Sequence, residues 1–294
     1  MLIASVLSVS ATATPIVFDD MGDANAYVFA DYAGFNSDSQ GRLFVGGDAT
    51  FSSYTVAGLN DWNSLALTVG GDLTQVGGDI VGLASIGGSA MVSSAAPVRT
   101  TSDQRNFDQG YFQQLSTELS QMQSGNLELK WGALNLSGNL VNNTLFVDVN
   151  QQILDSAWGF LTKDLTQGSR VVLNVAGESL TMSSSKDWLF KDAAYAFNHS
   201  SSNVLFNFYE AKNIEIGGGI YGSILAPNAA INGNSGVLTG QIIANSFSGS
   251  TQLNYSPFET DEPPTSVSEP AIPALFLLAV LILFRRRATG NSKQ

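Results

Sequence analysis

The sequence predicts a mainly β protein: a β-helix or solenoid-like core, one long flanking α-helix, and a C-terminal transmembrane helix. Short apolar runs end repeatedly in Gly-Gly pairs, one helical stripe interrupts them near the middle, and an uncharged run closed by three arginines ends the chain. A β-sandwich is the alternative for the core.

Residues 1–13 read as a signal peptide with a truncated basic region. The apolar stretch Leu2–Ala13 ends in Ala11-Thr12-Ala13, the small-x-small pattern that signal peptidase accepts, and no cation precedes Arg42. A buried N-terminal strand is the alternative.

Residues 15–258 form the one folded domain. Leu43-Phe-Val-Gly-Gly-Asp48, Leu67-Thr-Val-Gly-Gly-Asp72, Val76-Gly-Gly-Asp79 and Ser85-Ile-Gly-Gly-Ser89 each pair a β-type run with two glycines. Such pairs tolerate positive φ and mark tight turns. The style returns in Ile214-Glu-Ile-Gly-Gly-Gly-Ile220 and in Tyr221-Gly-Ser-Ile-Leu-Ala-Pro-Asn228. Strand followed by corner, many times over, is what stacked coils need.

The stripe lies between residues 102 and 123. Phe107, Tyr111, Leu115, Leu119 and Met122 recur at helical steps, with Ser102 as candidate N-cap, Asp103 in the first turn and Gly125 as the stop. A one-sided stripe lies along the β core and seals one flank.

The C-terminus has three parts. An acidic Pro-containing linker (259–270) leads into the apolar run 271–284, read as a transmembrane segment, and then into a basic cytoplasmic tail (285–294) that opens with Arg285-Arg286-Arg287. Fourteen apolar residues reach about 21 Å as a helix, short of a ~30 Å hydrocarbon core. Their position after a linker and before three cations nevertheless assigns them to a membrane. This tail resembles the PEP-CTERM sorting signal of Gram-negative bacteria, with Ser268-Glu269-Pro270 at the motif position and the first proline replaced. The resemblance implies an exosortase-like partner, a transient inner-membrane intermediate, and release to the cell surface or extracellular matrix.

Charge and composition narrow the chemistry. The chain has 13 Lys+Arg against 25 Asp+Glu, a formal net charge of -12, no Cys and one His. Disulfides, thiolate metal sites and cysteine nucleophiles are excluded. Nucleic acid is excluded as a partner, because phosphate binding needs clustered cations and none occurs before residue 285. Asp48, Asp72 and Asp79 follow Gly-Gly pairs, where carboxylates could hold calcium, although the fixed nine-residue period of calcium β-rolls is missing. Turn capping is the simpler role for them. His199 lies in a polar loop with no nucleophile elbow nearby, so it reads as a loop residue. Trp62, Trp131, Trp158 and Trp188 are core or sugar-stacking candidates, and the sequons at Asn135, Asn142 and Asn198 carry little weight beside a bacterial-type tail.

The chain resembles the choice-of-anchor A family, bacterial surface proteins with an adhesive module sometimes described as collagen-binding-like. Phe35-Asn-Ser-Asp-Ser-Gln-Gly-Arg-Leu-Phe-Val-Gly-Gly-Asp48, the central helix, Ile220–Ala229 and Leu238–Asn245 carry that resemblance over residues 20–256. It implies an exported, non-enzymatic adhesin or matrix component whose partner is an extracellular polysaccharide or matrix protein. Two other classes remain open: a β-helix polysaccharide lyase or hydrolase, which would align carboxylates on adjacent coils, and an ice-binding protein, which would need flat Thr-x-Thr rows. Strand positions between the apolar ones are mostly Ser, Thr, Asn and Gly, with few acids in register, and Thr is scattered.

Overall fold

The computed structural model describes residues 15–262 except 19–20, 23, 94–97, 104, 131, 158, 163–164, 166–167 and 183–200. The described residues up to Asp261 belong to one compact unit. It is a curled stack of parallel strands, so the solenoid-like expectation holds and the sandwich alternative falls.

Side one of the stack runs, coil by coil, through β12 (Thr144–Asn150), β14 (Arg170–Ala176), β16 (Val204–Asn207) and the first parts of β19 (Ser223–Gly233) and β21 (Ile242–Gly249). It continues with β1 (Ala24–Val28), β3 (Arg42–Val45), β5 (Leu65–Val69), β7 (Leu83–Ile86) and β9 (Arg99–Thr100). Side two follows the same order as β15 (Ser179–Met182), β17 (Asn213–Ile216), the second parts of β19 and β21, β2 (Tyr32–Asp38), β4 (Ala49–Thr55), β6 (Leu73–Val76) and β8 (Ala90–Ser93). Side three is short: β18 (Ile220–Tyr221), β20 (Val237–Thr239) and β22 (Gln252–Asn254), extended by single bridges Ser39 to Leu253 and Val56 to Ile80. A small sheet of β10 (Asn126–Lys130), β11 (Ala133–Ser137) and β13 (Gly159–Thr162) stands apart, with β10 and β11 antiparallel.

The chain enters this stack in its middle. β1 pairs in parallel with β3 on one side and with β21, more than 200 residues later, on the other. The N-terminal half winds one way from this seam to β9, and the C-terminal half winds back to it from β12. Buried side chains stitch the seam. Asn25 donates from Nδ2 to the carbonyls of Gly240 (2.8 Å) and Asn254 (3.2 Å) and accepts the Gly41 N–H at 2.8 Å. Gln241 donates to the Ala24 carbonyl at 2.8 Å.

In-register inward positions build the core. Leu173, Phe206, Ile224, Ile242, Ala26 and Leu43 stack from coil to coil and are fully buried. Near the corner to side two, Phe247 stacks on Tyr32 (4.8 Å) and Phe51 on Tyr54 (5.4 Å), while the two tyrosine hydroxyls share a 2.9 Å hydrogen bond. Burial lifts both hydroxyls above the ordinary tyrosine range, so they stay protonated.

Helix α1 (Gln109–Ser120) seals side one as expected, but it starts seven residues later than Ser102. Asp108, not Ser102, caps it by accepting the Tyr111 N–H at 3.0 Å. The preceding stretch is held off helical geometry by side-chain bonds: Asp103 N–H donates to Ser85 Oγ and Thr68 Oγ1 donates to Asp103. Phe107, the first residue of the stripe, packs on Tyr27 (5.0 Å), and the Arg105 guanidinium lies 3.5 Å from the Phe44 ring centre. The helix ends at Ser120, ahead of Gly125, whose N–H instead donates to the Phe146 carbonyl. Phe112, Leu115 and Leu119 cover the outward row Tyr27, Ile243 and Leu225. Farther along that row Asn207 donates to the Ser116 carbonyl and Asn174 to the Leu119 carbonyl. A second, shorter helix, α2 (Gln151–Ser156), capped by Asn150, has no counterpart among the expectations. No helix among the described residues is long and apolar enough to cross a membrane, and the expected span 271–284 lies outside them.

Candidate functional site

Among the described residues, side two is the large uncovered surface. Side one is sealed by α1 and side three is short, whereas outward positions of side two alternate with buried ones along β4 and β17. Parallel strands place equivalent side chains about 4.8 Å apart, so each outward position becomes a row running along the stack. The middle row passes through Thr181, Glu215 and Asn232, then Ser248, Ala33, Thr50, Thr74 and Met91. Most of its members are small or hydroxylated, which keeps the surface flat. Glu215 accepts from the amides of Asn232 and Asn234, both at 2.8 Å, which fixes one end of the row.

The edge row is a carboxylate ladder. Asp31 Oδ1 accepts the Asp48 N–H (2.9 Å), Asp48 Oδ1 accepts the Asp72 N–H (2.8 Å), and Asp72 Oδ1 accepts the Ser89 N–H (2.7 Å). Each aspartate thus ties its corner to the next coil, at sequence intervals of 17, 24 and 17 residues. The glycines before them are needed for a different reason from the one expected. The pairs at 46–47, 70–71 and 87–88 do not have positive φ. A Cβ at Gly70 would run into the Gly46 carbonyl, and one at Gly71 into the Asp48 carboxylate, well inside van der Waals contact. Close approach between coils excludes every side chain there. Positive φ holds at Gly77 and Gly78.

Of the proposed calcium ligands, Asp48 and Asp72 share this ladder, while Asp79 lies past the other end of β6, where its carbonyl accepts the Val56 N–H. Among the described residues no three acidic, histidine or cysteine side chains converge on one point. Asp31 was not singled out from the sequence. Its signal is the alignment of Phe29-Ala30-Asp31 with the Gly-Gly-Asp corners, hidden because the glycines are replaced. Three acids thus stand on adjacent coils at this corner, outside the strands, exposed and engaged in backbone bonds. A cavity of about 250 Å³ near the end of α1 is lined by Gln123, Ser124, Asn126 and Asn139 with glycines and a valine, none of them titratable. Ala11, Ala13, His199, Trp131, Trp158, Trp188, Ser268, Glu269, Pro270, Arg285, Arg286 and Arg287 lie outside the described residues.

The described residues thus form a parallel β-solenoid with one side sealed by a helix and another side open and polar. The chain belongs to the family described as "Putative Ice-binding-like adhesive domain", whose model matches residues 17–255. No curated protein matches. Among solved structures, the chain is similar to an ice binding protein from an Antarctic Biological Consortium, at 12% identity and a TM-score of 0.36, covering 87% of this chain and 96% of that one.

Proposed function

We propose that the domain is the contact head of a non-enzymatic, exported bacterial surface protein, an adhesin or matrix component that grips an extracellular polysaccharide or matrix protein through side two. The observation that carries this reading is the contrast between sides: among the described residues one long face of the stack is left uncovered, in rows of mostly small polar side chains fixed by backbone ladders. Membership of an adhesive-domain family supports it. The PEP-CTERM-like tail and the choice-of-anchor A resemblance support export, with an exosortase-like enzyme cutting after residues 268–270 and Arg285–Arg287 holding the intermediate in the inner membrane. Hydrolysis of a polysaccharide would need a proton donor facing a second carboxylate across a cleft. The Asp31, Asp48 and Asp72 ladder is instead exposed along an edge, with each carboxylate accepting a backbone N–H.

The test uses cells that produce the full chain. Thr50→Arg with Thr74→Arg puts two long cations in the middle row, and attachment to a matrix-coated surface should fall at least tenfold while surface display is unchanged. Unaltered attachment would remove side two from the reading. The purified protein should bind polysaccharide without shortening it, and should not hold ice crystals open to growth below the melting point. Chain shortening would replace the adhesin with an enzyme, and thermal hysteresis would replace it with an ice binder. Glu269→Ala with Pro270→Ala should leave the protein in the inner membrane, and normal surface delivery would end the sorting assignment.

A further inference from the structure

One coil is longer than the stack requires. The ladder interval from Asp31 to Asp48 is 17 residues and from Asp72 to Ser89 again 17, whereas Asp48 to Asp72 takes 24. The excess lies in the loop 57–64, between the Val56 bridge and β5. This loop is tied down along its length. Gly58 and Leu59 N–H donate to the Ser39 and Gln40 carbonyls (2.8 and 3.0 Å), and the Asn60 amide reaches the carbonyls of Leu65 and Val81, both at 3.1 Å. Asp61 Oδ1 accepts the Asn63 N–H at 2.8 Å, and Arg99 donates to the Trp62 carbonyl at 2.7 Å and to Asn63 Oδ1 at 3.3 Å. A backbone this constrained nevertheless presents Trp62 and Leu59 to solvent, 48% and 72% exposed. Neither is needed for the core, and an exposed indole on a rigid loop is already in a binding conformation.

We propose that the loop 57–64 is a glycan-binding platform, on which the Trp62 indole stacks against the apolar face of a neutral pyranose ring and the flanking Asp61 and Asn63 side chains bond its hydroxyls. This rests on the adhesive reading and names a ligand class for it. Two exposed apolar side chains, Trp62 and Leu59, suit a single sugar ring rather than the roughly 800 Å² per partner of a stable protein interface. The pairing of Arg99 with the loop itself and the net charge of -12 disfavour an anionic polymer or an anionic membrane. The platform lies between the Val56 bridge of side three and β5 of side one, at a different corner from the Asp31, Asp48 and Asp72 ladder.

The experiment titrates the purified full chain with three neutral sugars, cellohexaose, chitohexaose and mannohexaose, and with alginate as the anionic control, following tryptophan emission and calorimetric heat. At least one should bind and shift the emission to the blue. Trp62→Ala should weaken that binding about 30-fold, a typical loss for an interfacial aromatic anchor, with an unchanged melting temperature; Trp62→Phe should retain most of the affinity. Absence of binding by all three sugars, equal affinity in Trp62→Ala, or binding confined to alginate and abolished by salt would each overturn the platform. Soluble sugars are read here without cell attachment, so this inference and the contact-head reading can fail separately.

Discussion

Asn25 joins the two halves of the stack, and its replacement by Leu probes that joint directly. The side chain is fully buried and makes three hydrogen bonds, to Gly240, Asn254 and Gly41. Leucine has a similar volume and can make none of them. The Gly240 carbonyl would be stranded away from water at about 1–3 kcal/mol, while the half-buried Gly41 N–H would lose this partner and the half-buried Asn254 carbonyl would keep only the Gly240 N–H. Part of this is offset by the gain from burying the leucine methyls, leaving a net loss of about 2–4 kcal/mol. For a domain of this size about 2–4 °C accompanies each kcal/mol, so the melting temperature should drop by about 4–16 °C. Urea unfolding followed by far-UV circular dichroism measures the loss, with exposed Asn126→Ala as a control expected within about 0.5 kcal/mol of wild type. A loss below about 1 kcal/mol for Asn25→Leu would refute the idea that side-chain bonds, in addition to strand pairing, hold the halves together.

Gln75 faces the core between Phe51 and Val92, and neither its amide nitrogen nor its oxygen has a hydrogen-bond partner among the described residues. Gln75→Leu should therefore stabilise the domain by about 1–3 kcal/mol in urea unfolding, and a destabilised variant would contradict the reading. Burial raises the Asp38 carboxyl above its ordinary value of 3.8. Its charged form is the one the fold disfavours, so the penalty is absent below the unfolded value and grows as pH rises through the folded one. Asp38→Asn should raise the melting temperature at pH 7 and leave it unchanged near pH 3; an equal effect at both would exclude the titration. Because Asp48 and Asp72 already serve the backbone, millimolar calcium should shift the melting temperature by less than about 1 °C, and a larger rise would restore the metal-site role of Asp48, Asp72 and Asp79.

Local features were readable in the sequence because they are set by near neighbours. Alternating runs gave strands, Gly-Gly-Asp gave corners, and the stripe of Leu115 and Leu119 gave the helix. Coil order was not readable, since a parallel strand can pair with any other of the same pattern. That β1 lies against β21 depends on Asn25 and Gln241 reaching partners at the far end of the chain. The helix start was misplaced because Phe107 and Asp103 satisfy helical spacing while serving contacts with Tyr27 and Ser85. The Asp31 rung was invisible for a related reason: its corner makes the same coil-to-coil backbone bonds with Phe29 and Ala30 in place of the glycines.

The chain leaves the domain along a row of fastenings, each on a different coil. Tyr255 N–H is held by Gln40, Phe258 N–H by Gln241, Glu259 N–H by the Ser202 carbonyl, and Asp261 by Arg170. Asp261 also grips Ile16 in both directions, its carboxylate accepting the Ile16 N–H and its own N–H donating to the Ile16 carbonyl. Tension applied beyond residue 262 is therefore met first by the Arg170 and Asp261 clamp and then by three successive stops, before it reaches the strands. The rows of side two are insulated from such a pull, and a domain tugged at this end would let go of its own hem before it lost its grip.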